Sequence, residues 1–299
     1  MRRKLDPKQT AAFQAVAERG SFEAAAGVLH VSPAAISVRV RSLETALGYA
    51  LLERGRPCRT TPAGQTLLRH LRQMHALEET LFAELDGTHQ RTLGFTLATN
   101  ADSLATWLLP ALNAAVADLD IALDLVVDDQ MHTHRLLNAG RVNACVSALA
   151  EPMSGCVALP LGRMRYRLMA APQFARTHFP DGFTREAARS APAVIFNDKD
   201  ALHDEVVGAR FGLAAGTYPI HSVPASEAFA QAIRLGLGYG LLPEEQAYAK
   251  SECPPLTDLL PDLEHDVVLY WHCWKDQVPR FAELTRRVVA AAQAALIPA

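Results

Sequence analysis

Near the start of the chain, apolar positions recur at helical spacing in three short runs separated by glycine and proline. Phe13, Val16 and Ala17 predict the inner face of a helix over residues 6–19, which Gly20 ends. Ala24, Ala25, Ala26 and Leu29 suit the inward side of a second, shorter helix, with Phe22 packed at its entrance. Val31-Ser32-Pro33 then punctuates the chain, because serine suits an N-cap and proline the first helical position. Ile36, Val40, Leu43 and Leu47 fall at i, i+4, i+7 and i+11 and give the third helix one apolar face. Ala34, Val38 and Arg41 occupy the opposite face, with Ser37 at its edge. Two short helices with a tight turn predict a helix-turn-helix, whose second helix enters the DNA major groove.

The pattern then changes twice. Leu51-Leu52 predicts a short strand, and ERGRPCRTT at 53–61 a β-turn wing carrying Arg54, Arg56 and Arg59. Three cations beside a helix-turn-helix suit phosphate contacts. The DNA-contacting set is therefore Ser32, Pro33, Ala34, Ser37, Val38 and Arg41 on the helix, and Arg54, Arg56 and Arg59 on the wing. A long helix over 63–85 follows, with Leu67, Leu71, Met74, Leu77, Leu81 and Leu85 as one stripe. So long a stripe suits a helix pair and predicts a dimerising linker. From Thr92 onward, strands and helices alternate. Strands are expected at 92–98, 121–127, 143–149, 167–171, 193–196, 217–222, 238–242 and 267–272. Helices are expected at 103–117, 131–139, 201–210, 226–235 and 278–295. A βαβαβ order predicts a parallel sheet with helices on its faces.

Charge sharpens this division. The net charge of −3 looks wrong for a DNA binder until it is divided. Residues 1–62 hold ten basic and five acidic side chains, a balance of +5 that leaves −8 for the rest. A basic head on an acidic body gives one surface for phosphates and another for something else. The five cysteines, Cys58, Cys145, Cys156, Cys253 and Cys273, are scattered and form no Cys-x-x-Cys pair, which points to reduced cytosolic thiols and no metal site. No signal-peptide core and no apolar run long enough to span a membrane is present, so a cytoplasmic protein is expected. Neither GxGxxG nor GxxxxGK[ST] occurs, which disfavours nucleotide cofactors. GxSxG and HExxH are also missing, and His132 and His134 at i, i+2 do not share a helix face. No catalytic residues and no cofactor are therefore assigned.

AAAGVLHVSPAAISVRVRSLE at 24–44, the wing followed by TTPAG and two α/β lobes together resemble the LysR-type transcriptional regulators, in order and over the whole chain. NADSLATWLLPAL at 100–112, ASEAF at 225–229, FP-x-G at 179–182 and YWH at 270–272 resemble the lysine- and arginine-responsive ArgP/LysG branch. The resemblance implies an α/β protein with an N-terminal winged helix-turn-helix over 1–62 and a linker helix over 63–91. It also implies a two-lobed, periplasmic-binding-protein-like effector domain over 92–299. Lobe 1 is expected over about 92–166 and 268–299, lobe 2 over about 167–267. Such regulators bind double-stranded operator DNA, self-associate as dimers or tetramers, and are not enzymes. Many members carry glutamine at the position of Pro33 and glutamine or arginine at that of Val38. The apolar residues here shift readout toward a thymine methyl.

Open α/β sheets bind ligands beyond the carboxyl ends of their strands. Those ends hold Asn100, Ala101, Asp102 and Ser103; Asp128-Asp129; Ser147; Phe196-Asn197-Asp198; and Ser222 through Glu227. Helix N-termini at Ser103 and Ser226 suit a carboxylate. Asp102, Asp128, Asp129, Asp198 and Glu227 suit an ammonium or guanidinium. A cationic amino acid needs both, and Asn100, Ala101, Asp102, Ser103, Asp128, Ser147, Asp198, Ser226 and Glu227 form the expected effector site. Together with the resemblance, this gives a regulator that senses lysine or arginine and controls amino-acid transport or export genes. The alternatives are the same kind of regulator with another small effector, or a solute-binding or enzymatic α/β protein carrying a helical adaptor.

Overall fold

The structure is a computed structural model and describes residues 4–85, 92–197, 201–249 and 254–299. They fall into two compact units: residues up to Leu93 with Arg135–Asn143, and Gly94–His134 with Ala144–Ala299.

The first unit begins with α1 (Pro7–Arg19), α2 (Phe22–Leu29) and α3 (Pro33–Leu47). Each helix has a legible start. Asp6 caps α1 by accepting from the backbone N–H of Lys8 and Gln9, Ser21 caps α2, and Ser32 caps α3 by accepting from Ala35 at 3.2 Å. Gly20 and Gly48 end α1 and α3 in the left-handed conformation. Phe13, Val16, Ala25, Ala26, Ile36 and Val40 lie in one core, as the spacing predicts, whereas Ala24, expected inside, is exposed. β1 (Leu52–Glu53) and β2 (Arg59–Thr60) pair antiparallel, one residue later than the expected strand. The Glu44 carboxylate anchors this hairpin by accepting from the N–H of Leu51 and Leu52.

α4 (Pro62–Leu85) follows, and its 24 residues span about 36 Å. The expected stripe divides in two. Leu67 and Leu71 pack on the head's core beside Leu68, which the stripe had omitted. Met74, Leu77 and Leu81 are exposed in the single chain, and so is Phe82. The Leu85 side chain lies outside the described residues. Leu71 therefore stabilises the head and is no part of a free seam.

The second unit contains β3 (Leu93–Thr99), α5 (Ala101–Ser103), a π-helical turn (Leu104–Leu108), α6 (Leu109–Leu119), β4 (Ile121–Val127) and β5 (Ala144–Ser147), while α7 (Thr133–Asn138) begins in it and ends in the first. Then come β6 (Cys156–Ala170), α8 (Pro172–His178), α9 (Arg185–Ser190), β7 (Ala193–Ile195), α10 (Leu202–Phe211), β8 (Ile220–Ser222) and α11 (Ser226–Arg234). β9 (Gly240–Pro243), α12 (Glu244–Ala247), β10 (Thr257–Asp258), β11 (His265–Trp274) and α13 (Pro279–Ala295) complete it. Seven strands form one sheet in the order β10-β6-β11-β5-β3-β4, with β9 also on β6. β3 and β5 are parallel, as βαβ order requires, but β11 runs antiparallel to both β5 and β6. The sheet is thus mixed, not parallel throughout.

β6 is the main departure from expectation. It starts at Cys156, not Arg167, and continues without a break across the expected lobe boundary at 166–167; β11 likewise crosses 267–268. Its first half pairs with β11, and its second half takes β9 and β10. Pro160 and Gly162 sit where a register shift between Leu269 and Tyr270 leaves Leu161 opposite no partner. Gly162 has φ 141°, and a Cβ there would lie 2.7 Å from that of Leu296. Beyond the bulge Met164, Tyr166 and Leu168 point inward. Arg163, Arg165 and Arg167 point outward and pair with Asp266 or Glu244 at 2.7–3.2 Å. Among the described residues no helix is long and apolar enough to cross a membrane. The four described cysteines are buried, with burial pushing Cys145 up to about 12 and Cys273 to about 11; Cys253 lies outside the described residues.

Gly64 is the tightest point of the head: a Cβ there would lie 2.0 Å from the backbone oxygen of Leu51. Gly64→Ala should push the wing off α4 and cost about 1–3 kcal/mol by overpacking. A lowered Tm together with weakened DNA binding would bear this out, and an unchanged Tm would contradict it.

Candidate nucleic-acid interface and ligand cavity

The head presents its charge outward because its core needs none. With Ile36, Val40 and Leu43 buried, α3 exposes Ala34, Val38 and Arg41, while Ser37 is half-buried. Val38 is 63% exposed, an unusual degree for a branched apolar side chain on a helix. Ser32 and Pro33 are exposed at the tip of α3, at the helix start where contacts to bases and phosphates are made. Arg54, Arg56 and Arg59 are exposed on the β1–β2 hairpin. The Arg54 guanidinium lies over the Phe22 ring, 5.8 Å from its centroid. All nine expected DNA-contacting residues therefore belong to one small unit.

In the second unit, a cavity of about 330 Å³ opens at the carboxyl ends of β3, β4 and β7. That volume fits a small-ligand site, which typically spans roughly 300–1,000 Å³. It is lined by Asn100, Ala101 and Asp102, by Val127 through Gln130, by Phe196 and Asn197, and by Leu202 and Pro224. Three carboxylates line it, and none of its described lining residues is Lys, Arg or His.

Each wall is held in place. The Asn100 amide donates to Gln130 Oε1 at 3.0 Å, while its own Oδ1 is buried without a partner. Asn100 does not cap the helix that follows, so the first N–H groups after it have no side-chain acceptor from that residue. The Asp128 N–H donates to the Thr99 carbonyl, and the Ser147 hydroxyl donates to the Gln130 carbonyl at 3.0 Å. Ser147 thus supports the wall from behind. Asp129 Oδ1 accepts from the Met131 N–H and lies 3.4 Å from His132 Nδ1.

Asp102 is the most constrained acid. Its Oδ2 accepts from the Tyr166 hydroxyl at 2.8 Å and its Oδ1 from the Ser226 hydroxyl at 2.7 Å. The Ser226 oxygen in turn accepts from Gln246 Nε2 at 3.0 Å. Burial pushes the Asp102 carboxyl above the usual carboxylate range, and the two hydroxyl donors only partly oppose this.

The structure brings Asn100, Ala101, Asp102 and Asp128 to the cavity as expected. Ser103 is fully buried, and Ser147 and Ser226 act one layer back. Glu227 is exposed on α11 and is not among the lining residues. Asp198 lies outside the described residues. Tyr166 and Gln130 were not anticipated. The alternation Arg163 to Met169 would have revealed Tyr166 as an inward strand residue, whereas nothing in the sequence marked Gln130.

Residues 7–65 match the bacterial regulatory helix-turn-helix protein, lysR family, and residues 91–293 match the LysR substrate binding domain. The chain belongs to the LysR family of transcriptional regulators. It is 42% identical to the LysG regulator of Mycobacterium tuberculosis, over 96% of this chain and 94% of that one. It is 39% identical to the ArgP regulator of Aeromonas salmonicida, over 98% and 99%. The crystal structure of ArgP from Mycobacterium tuberculosis superposes with a TM-score of 0.87 at 41% identity, covering 99% of this chain and 100% of that one. Full-length LysG from Corynebacterium glutamicum with bound effector Arg gives 0.82 at 35% identity, covering 98% and 100%. As a member of this family, the chain is a DNA-binding transcriptional regulator.

Arg41→Ala should weaken operator binding. If Arg41 meets phosphate, the salt slope should fall by about one charge; if it reads a base, preference at one position should flatten by about 1–3 kcal/mol. Unchanged affinity and specificity would place Arg41 away from DNA. A second expectation concerns Asp102. A raised carboxyl pKa contributes stability below the ordinary value and loses it as the pH climbs through the raised one. Asp102→Asn should therefore gain Tm relative to wild type as the pH rises above the ordinary carboxylate range. A constant difference would show an ordinary carboxylate.

Proposed function

We propose that this LysR regulator binds its operator as a dimer of winged heads and senses a basic amino acid, lysine or arginine. It would thereby control genes for amino-acid transport or export. One observation carries the effector reading: the cavity is lined by Asp102, Asp128 and Asp129 without an opposing cation among its described residues. A half-buried anionic wall favours a cation as its occupant. The uncapped helix start at Ala101 suits the α-carboxylate, and Asp128-Asp129 on the facing loop suit the side-chain cation. The arginine held by the similar LysG of Corynebacterium glutamicum supports the same reading. Asp198 and Glu227 stay as candidates, with no more than two acids expected to touch the ligand. The effector acts by binding one arrangement of the two lobes more tightly than the other.

Dimerisation is assigned to the outer part of α4. Met74, Leu77, Leu81 and Phe82 are exposed there, and a second copy of the same helix would cover them. Leu77→Asp with Leu81→Asp should yield monomers that bind DNA weakly. A double variant that sediments like wild type would move the dimer contact elsewhere.

Calorimetric titration of the full-length protein tests the effector. Norleucine lacks only the side-chain charge of lysine and should bind at least about tenfold more weakly. Asp128→Asn should weaken lysine binding by about 2–5 kcal/mol and leave effector-free DNA binding intact. Equal affinities for norleucine and lysine would overturn the basic side chain while leaving the regulator itself in place.

A further inference from the structure

Behind Asp102 lies a second, much smaller space of about 20 Å³, lined by Asp102, Tyr166, Val194, Phe196, Leu202, His203, Phe229 and Leu241. It shares Asp102, Phe196 and Leu202 with the larger cavity. Its volume suits one water-sized group and nothing larger. Most of the wall is apolar, and its polar side chains are Asp102, Tyr166 and His203.

His203 has no role in the fold that accounts for its chemistry. It is 2% exposed, and neither Nδ1 nor Nε2 has a hydrogen-bond partner. Its ring is held between those of Tyr218 and Tyr239, at centroid distances of 5.4 Å and 5.3 Å. Burial pushes its pKa down to about 4, so the ring is neutral at cellular pH and offers one nitrogen lone pair. Buried polar atoms are rarely left unpaired, and an unpaired ring facing a small void calls for a donor of matching size.

We propose that this space takes the α-ammonium group of the amino-acid effector, with Asp102 as counter-ion and His203 and the Tyr166 oxygen as further acceptors. The inference rests on the amino-acid reading above, and the geometry of an amino acid selects the α-ammonium over the side-chain cation. The α-ammonium and α-carboxylate share one carbon, so a carboxylate at the start of the helix at Ala101 places the ammonium beside Asp102. The side-chain cation, several bonds away, then reaches the Asp128-Asp129 wall. An ammonium has three N–H donors, and three acceptors line the space. Its size also excludes substitution on that nitrogen. His203 is thus a specificity-determining residue that separates α-amino acids from amines and acids bearing the same side chain.

The test titrates the full-length protein with L-lysine, norleucine and 6-aminohexanoic acid, which is lysine without its α-ammonium. In wild type, 6-aminohexanoic acid should bind at least about tenfold more weakly than lysine. His203→Phe keeps an aromatic ring between Tyr218 and Tyr239 and removes the acceptor. It should cut lysine affinity about tenfold and leave that for 6-aminohexanoic acid within about twofold; His203→Gln should restore part of the loss. In wild-type protein labelled with ¹⁵N-histidine, lysine should shift the His203 ring nitrogens and 6-aminohexanoic acid should not, a readout that needs no variant. Equal lysine affinity in His203→Phe and wild type, or no lysine-dependent ring shift, overturns the proposal and leaves the space to an ordered water. If norleucine matches lysine in wild type, the basic side chain is wrong. Norleucine keeps the α-ammonium, so its own loss on His203→Phe would still support the assignment, and no loss would overturn it.

Discussion

The effector-binding unit turns on a single carboxylate withdrawn from water. Asp102 sits at the start of a helix, at the end of β3, where the chain leaves the sheet. A buried carboxylate persists only where donors surround it, and here they come from elements far apart in sequence. Tyr166 supplies one hydroxyl from the middle of β6, and Ser226 supplies the other from the first turn of α11. Gln246 on α12 holds Ser226 from behind. Three segments are therefore fixed around one charge. The bulge at Leu161 matters for the same reason: the alternation that follows it turns Tyr166 inward and the neighbouring arginines outward.

The head follows the opposite rule. Its stability comes from an uncharged core and from caps at Asp6, Ser21 and Ser32, none of which uses a cation. Arg41, Arg54, Arg56 and Arg59 are thus left in solvent, where charge costs little and remains available to a polyanion. The net charge conceals this arrangement, because −8 in the rest of the chain outweighs +5 in the head. Charge that would destabilise one unit by self-repulsion is divided between two tasks.

How much of this could be read from the sequence depended on whether the signal was local. The start of α3 was legible, since Ser32-Pro33 fixes a cap and a first turn within a few residues. β4 was legible over its whole length. The rule that ligands bind beyond strand ends located the cavity, through Asn100 to Asp102, Asp128 and Phe196-Asn197. What failed was non-local. Pro160 and Gly162 interrupted a strand pattern that only pairing with β11 completes. The stripe on α4 was a single pattern in sequence, but two different surfaces cover or leave it, and only packing shows where Leu71 ends one and Met74 begins the other. Gln130 and His203 gave no local signal, because their significance lies in which groups they face.

Those unpaired and half-paired groups show how an amino-acid effector, as proposed, would bias this protein. A ligand shifts an equilibrium only by binding one arrangement better than another. Without a ligand, Asn100 Oδ1 and both nitrogens of His203 are buried without partners, and burial disfavours the charge on Asp102. Each is an uncompensated cost, since desolvated acceptors have lost water and gained nothing in return. An ammonium group supplies donors to acceptors and positive charge to a carboxylate in one step, whereas an anion would be repelled by that carboxylate. The same groups belong to different segments: Asn100 and Asp102 follow β3, and His203 lies in α10. A cation that satisfies them together favours the arrangement in which these segments stay close, and loses its advantage wherever they part. The differential affinity that regulation requires is thus a property of where the unsatisfied acceptors sit, independent of any contact with DNA.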